Sequence, residues 1–153
     1  YASRYLEGNN ETCPTGNILP VAGTPMDFRA GKPIGRDIDT GFSQTTMVGG
    51  GYDHCFVIDR GRGASQSLCA WASSDKTGIS MKLYTTQPGV QLYTGNWLGD
   101  EHAKDDANYG WGAGFALEAE MYPDTPHQPL FPQGIVGPGH PYSNVIEYHF
   151  MRH

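Results

Sequence analysis

The chain has 153 residues and a net charge of −6, with 16 acidic side chains against 10 Lys and Arg. That balance argues against a nucleic-acid partner, which needs clustered cations, and no apolar run of roughly 18 residues is present to cross a membrane as a helix. Hydrophobic residues at 38% against 17% charged fit one globular domain, or a part of one, over residues 1–153 rather than a disordered segment.

The chain opens on Tyr1, in "YASRYLEG", rather than on Met. A leader, a propeptide or a longer N-terminal region is therefore expected ahead of it. Asn10–Glu11–Thr12 is an N-glycosylation sequon, with Asn10 as the candidate acceptor. The cysteines are Cys13, Cys55 and Cys69. Their spacing fits no zinc pattern, and the odd count leaves one thiol free or paired with a missing segment. Sequon and cysteines together favour a secreted protein only slightly over a cytoplasmic one, and leave both open.

Residues 1–51 read as loop-rich. Pro14, Pro20, Pro25 and Pro33 punctuate them, so any strands there are expected to be short or at sheet edges. From there on, short β-rich runs alternate with turns. "CFVID" and "SLCAWAS" read as strands, and "DRGRGASQ" between them reads as a hairpin connection. "SDKTG" is a turn into "ISMKLYTTQ", and "QPG" breaks that run before "VQLYTGNWL". Residues 99–112, "GDEHAKDDANYGWG", read as a long surface or functional loop. "AGFALEAEMY" and "NVIEYHFMRH" complete the set, with a Pro-rich irregular stretch between them. No amphipathic helix of convincing length appears, and the pattern predicts an all-β antiparallel sandwich.

Within "FALEAEMY", alternation sends Phe115, Leu117 and Ala119 to one face and Ala116, Glu118 and Glu120 to the other. A carboxylate among apolar neighbours is a desolvated base near neutral pH; an ordinary solvent-facing Glu pair fits the same pattern. Trp97, at the end of "YTGNWL", is either a core plug or a flat wall for a sugar ring. In "GYDHCFVID", Asp53 is either a turn residue or a ligand-binding carboxylate. Its neighbour His54 points to the other strand face, so the two form no dyad. The six histidines have no metal-binding spacing, and His127 and His140 read as surface residues. "VGGGYDH" leads into a strand, not a helix, and so lacks the helix N-terminus of a phosphate loop.

The ordered pieces "PTGNILPVAGTPMDFR", "GYDHCFVID", "TTQPGVQLYTGNWL", "FALEAEMYPDTPHQPLFP" and "PGHPYSNVIEYHF" together resemble the C-terminal half of the aldose 1-epimerases, the galactose mutarotases. The resemblance spans nearly the whole chain. It implies an antiparallel β-supersandwich, of which this chain is about half, the N-terminal part lying outside it. It implies that Glu118 matches the family's base, that Asp53 matches a carboxylate binding sugar hydroxyls, and that Trp97 matches an aromatic position, usually Phe, near the sugar. Cys55 stands where Asn is common in the family. The family's acid histidine and its partner fall in the N-terminal half and have no counterpart here.

The implied reaction interconverts the α and β anomers of a hexose such as galactose or glucose by acid–base ring opening, with a monosaccharide as partner and no metal or organic cofactor. The segment alone is expected to be inactive. The rivals are a non-catalytic carbohydrate-binding protein on the same fold, a relative acting on phosphorylated hexoses, and a proteolytic fragment without function of its own.

Overall fold

Runs of five to eight residues, alternating or wholly apolar and bounded by Gly and Pro, form strands because they are too short to bury a helical stripe. The computed structural model describes residues 1–60, 64–99 and 101–153. In chain order its strands are β1 (Ala2–Gly8), β2 (Pro14–Pro20), β3 (Asp53–Ile58), β4 (Ser67–Ser74), β5 (Ile79–Thr85), β6 (Gly89–Tyr93), β7 (Glu101–His102), β8 (Asn108–Tyr109), β9 (Ala116–Glu120) and β10 (Ile146–Arg152). One five-residue helix, α1 (Ser43–Met47), stands among short 3₁₀ turns.

A five-stranded antiparallel sheet has the order β2-β1-β3-β6-β9, and a three-stranded one the order β10-β5-β4. β7 and β8 make a small hairpin inside the segment read as a loop. The two main sheets meet in a core of Tyr5, Phe56, Ile58, Val90 and Leu92 from the larger sheet and Cys69 and Leu83 from the smaller. A second cluster covers the opposite face of the larger sheet, where Leu6, Cys55 and Val57 pack against Tyr122 and Phe131. β3 is buried on both faces and therefore reads as a continuous apolar run. Gly89 serves this second cluster: a Cβ there would stand 2.6 Å from Cys55 Sγ and 3.1 Å from the Tyr122 ring.

Two expectations are corrected. β1 is not an edge strand, because it lies between β2 and β3 with Tyr5 and Leu6 buried on opposite faces. The prolines lie outside it and bound β2, which does take the edge. "DRGRGASQ" is not a hairpin connection either: β3 pairs with β1 and β6, while β4 pairs with β5 in the other sheet. Gly61–Gly63 of that stretch lie outside the described residues. The turn before β5 is as read, with Gly78 at φ +66° and its N–H donating to Ser74 O at 2.9 Å.

Candidate active site

Antiparallel register decides which side chains share a face, because directly opposed residues point the same way. Cys55 opposes Gln91, and Gln91 opposes Glu118. One row along, Asp53 opposes Tyr93, and Tyr93 opposes Ala116. On the other side, Val57 opposes Gly89, which opposes Glu120. Asp53, Gln91, Glu118 and Glu120 therefore belong to one face of the sheet, while Leu117 goes to the intersheet core. The Gln91 side-chain amide donates to Asp53 Oδ1 at 2.9 Å. Its own carbonyl oxygen, Oε1, is buried without a hydrogen-bond partner among the described residues.

Glu118 is exposed on β9, whereas Glu120 is half-buried. Burial, and then the charges of Glu118 and Asp53, push the Glu120 carboxyl up to about 7. His54 lies on the core side, 4% exposed, with its ring edge-on to Tyr5 at 6.2 Å. Burial holds it down to about 4, so it is neutral at physiological pH. Its direction away from Asp53 is as the alternation requires. All three cysteines are free, and burial pushes the Cys55 thiol up, away from the thiolate. Cys55 packs on the carboxylate face as a small apolar group.

Residues 1–149 match the family described as aldose 1-epimerase. The chain belongs to the aldose 1-epimerase family. It is 35% identical over 153 residues to the aldose 1-epimerase of Escherichia coli K12, covering 98% of this chain and 43% of that protein. It is 34% identical over 150 residues to human galactose mutarotase, covering 97% of this chain and 42% of that one. Among solved structures, a GalM/aldose epimerase homologue from C. elegans superposes with a TM-score of 0.86 at 27% identity, over 99% of this chain and 44% of its own. The all-β antiparallel sandwich is thus the aldose epimerase fold, and the chain spans less than half the length of these relatives.

In this aldose 1-epimerase segment, the expected residues do not all converge. Asp53 and Glu118 share a face, and Gln91, which stands opposite Glu118, donates to Asp53. Trp97 stands beyond the end of β6 and is 61% exposed, so it is no core plug. Its backbone N–H donates to Tyr93 Oη at 3.1 Å, which ties it to the row of Asp53. Asn10 is exposed in the turn between β1 and β2. His127 is exposed and paired with Asp124 at 2.5 Å. Among the described residues, no three of His, Cys, Asp and Glu are grouped as metal ligands.

The sequence pattern missed the groups that position Asp53. Asn96 Nδ2 donates to Val48 O at 2.9 Å and to Tyr52 O at 3.1 Å, and Thr94 Oγ1 accepts from Tyr52 N at 2.9 Å and donates to Asn96 Oδ1 at 2.5 Å. This buried clamp fixes the turn entering β3. Gly51 leaves room for it, since a Cβ there would lie 2.1 Å from Asn96 Oδ1. Asp53 and Gln91 also line a cleft with Thr12, Pro14, Met47 and Val48, but its volume is only about 30 Å³. Small-molecule sites hold about 300–1,000 Å³, so this cleft by itself is too small for a sugar ring.

The raised Glu120 carboxyl has a measurable consequence. The folded state binds this proton more tightly than the unfolded chain does. Its contribution is complete below about 4.5, the ordinary value, and is lost as pH rises through about 7. Linkage alone sets a ceiling of about 3 kcal/mol, which solvent reaching the half-exposed group reduces to about 1–2 kcal/mol. Urea unfolding between pH 4.5 and 8 should show that decline in the wild type and a flatter profile for Glu120→Gln. Parallel profiles would refute it.

Proposed function

We propose that this chain supplies one wall of a mutarotase site, with Glu118 as the base and Asp53 as a hydroxyl-binding carboxylate. The observation that carries this reading is the shared face of the larger sheet, on which Gln91 donates to Asp53 and stands directly opposite Glu118. The substrate is a free hexose such as galactose or glucose. Glu118 takes the proton of the anomeric hydroxyl, the ring C–O bond breaks as the ring oxygen gains a proton, and the resulting aldehyde rotates about its C1–C2 bond. Closure on the other face returns the proton through the same groups. Trp97 offers an apolar edge at the far end of the ring. The exposure of Asn10 at its turn supports its reading as a glycan acceptor.

The proton donor to the ring oxygen comes from the remainder of a longer polypeptide. Two features support a missing partner segment. The cleft beside Asp53 holds only about 30 Å³, against about 300–1,000 Å³ for a small-molecule site. Ile146, Tyr148 and Phe150 on β10 oppose Thr85, Leu83 and Met81, and so share the core-facing side of the smaller sheet, yet they are 40%, 48% and 67% exposed. The family's length in its relatives provides for such a segment, and residues 1–153 form the C-terminal part of that single sandwich.

Polarimetry with freshly dissolved α-galactose tests the whole reading. The segment alone should leave the uncatalysed rate unchanged, and the polypeptide extended to the length of its relatives should accelerate it. An active segment would remove the need for an outside acid. An inactive full-length protein that still binds galactose would instead favour a non-catalytic sugar-binding role.

A further inference from the structure

The ladder of β3 stops short at the residue that matters most for binding. Tyr52 O accepts from Thr94 N–H at 3.0 Å, so the backbone of Tyr52 faces β6. Backbone groups alternate sides along an antiparallel strand, and the Asp53 N–H therefore points the other way, toward β1. The pairing of β1 with β3 sets Arg4 opposite Val57 and Tyr5 opposite Phe56, and it does not reach Asp53. Continued, that register would bring Gly8 opposite Asp53. Gly8 is bonded elsewhere: its N–H donates to Gln44 Oε1 at 2.9 Å, and its carbonyl accepts from Gln44 Nε2 at 3.0 Å. A side chain of α1 has thus taken the place at Gly8 that β3 would have filled.

His54 supplies the acceptor that β1 does not. The Asp53 N–H donates to His54 Nδ1 at 3.1 Å. An imidazole nitrogen accepts only when it carries no proton, so the ring is neutral with its hydrogen on Nε2. Burial favours that neutral form. Nε2 is itself buried without a hydrogen-bond partner among the described residues. A buried ring with an unpaired N–H is costlier than an apolar side chain of the same shape. The hydrogen bond that the ring does make goes to the amide of Asp53.

We propose that His54 is a positioning residue for substrate binding, whose Nδ1 fixes the Asp53 amide and so holds that carboxylate on the site face of the sheet. The inference rests on the mutarotase reading, because that reading makes Asp53 a sugar ligand. Asp53 is the first residue of β3 and follows the Gly49–Gly51 run by two positions, so the chain arrives there with little stiffness of its own. Holding the N–H fixes φ at Asp53, and φ sets the direction of the Cα–Cβ bond. The carboxylate is then delivered to Gln91, whose amide meets Oδ1 at 2.9 Å. His54 acts from the core side and Gln91 from the site side, and neither needs to touch the sugar for Asp53 to be placed.

The test measures kcat and KM for galactose in the full-length polypeptide. His54→Phe keeps a flat ring without an acceptor, and should raise KM about tenfold with kcat of the folded fraction little changed. His54→Asn places its Oδ1 near the position of Nδ1 and should hold KM within about twofold of wild type. A packing role alone would lower the folded fraction and leave KM where it is. In an Asp53→Ala background, His54→Phe should raise KM no further, because the ring acts through Asp53. An unchanged KM in His54→Phe, equal rises in the Phe and Asn variants, or a further rise in the Asp53→Ala background would each overturn the inference. If the wild type does not epimerise galactose, the mutarotase reading falls, and NMR decides separately whether His54 holds Asp53. An unprotonated Nδ1, with the Asp53 amide protected from hydrogen exchange in wild type and His54→Asn but not in His54→Phe, upholds it. A protonated Nδ1, or equal protection in all three, overturns it.

Discussion

Glu118→Gln in the full-length polypeptide is expected to lower the mutarotation kcat by at least 10²–10⁴-fold, the contribution of one positioned acid or base. KM should change little, because Gln keeps the shape of Glu and loses only the ability to take a proton. Stability should be indifferent: Glu118 is exposed on β9, an edge strand, and its backbone pairing with Gln91 does not involve the carboxylate. Polarimetry for the rate and thermal unfolding for the fold separate the two effects. Glu120→Gln is the matched control, since Glu120 shares the face but stands one row further from Asp53. Wild-type turnover in Glu118→Gln, or a greater loss in Glu120→Gln, would move the base from residue 118.

The strands themselves were legible because their signals are local. The β5 and β10 runs are bounded by turn residues, and their observed limits fall within the predicted stretches. Pairing was less legible, because it depends on which apolar faces meet across the core. A Gly- and Arg-bearing connection after β3 has the composition of a tight hairpin, yet the strands it joins belong to different sheets. β1 was misplaced for a related reason. Proline marks edges reliably, but its presence nearby says nothing about a proline-free strand beside it.

The site was legible to a different depth at each residue. Alternation alone assigns Glu118 and Glu120 to one face, and it sends His54 away from Asp53. It does not bring Asp53 and Glu118 together, since they lie on non-adjacent strands with β6 between them. That needs the register of two strand pairs, and the same register reveals Gln91, an amide with no motif of its own. The Thr94–Asn96 clamp is hidden for a further reason. Thr-Gly-Asn reads as an ordinary turn, and only the fold shows that its side chains face inward to backbone carbonyls 42 to 48 residues away in sequence.

That clamp makes Asn96→Ala the substitution with the largest expected structural effect. Asn96 is 6% exposed, and its amide supplies the side-chain donor to Val48 O and to Tyr52 O while accepting from Thr94. Alanine leaves Val48 O without its donor, whereas Tyr52 O keeps the Thr94 backbone N–H at 3.0 Å and the Thr94 hydroxyl at 3.3 Å. A buried group left unpaired costs about 1–3 kcal/mol, so a loss of about 1–3 kcal/mol is expected in urea unfolding. The turn held by these bonds enters β3 at Asp53. Loosening it should also displace that carboxylate, at a cost of up to about 10²-fold in kcat/KM for a shift near 1 Å. Thr94→Ser, which keeps the hydroxyl, should retain most of both. A stability unchanged in Asn96→Ala would show that the turn is held by its backbone alone. A loss of stability without loss of kcat/KM in the folded fraction would separate the clamp from the placement of Asp53.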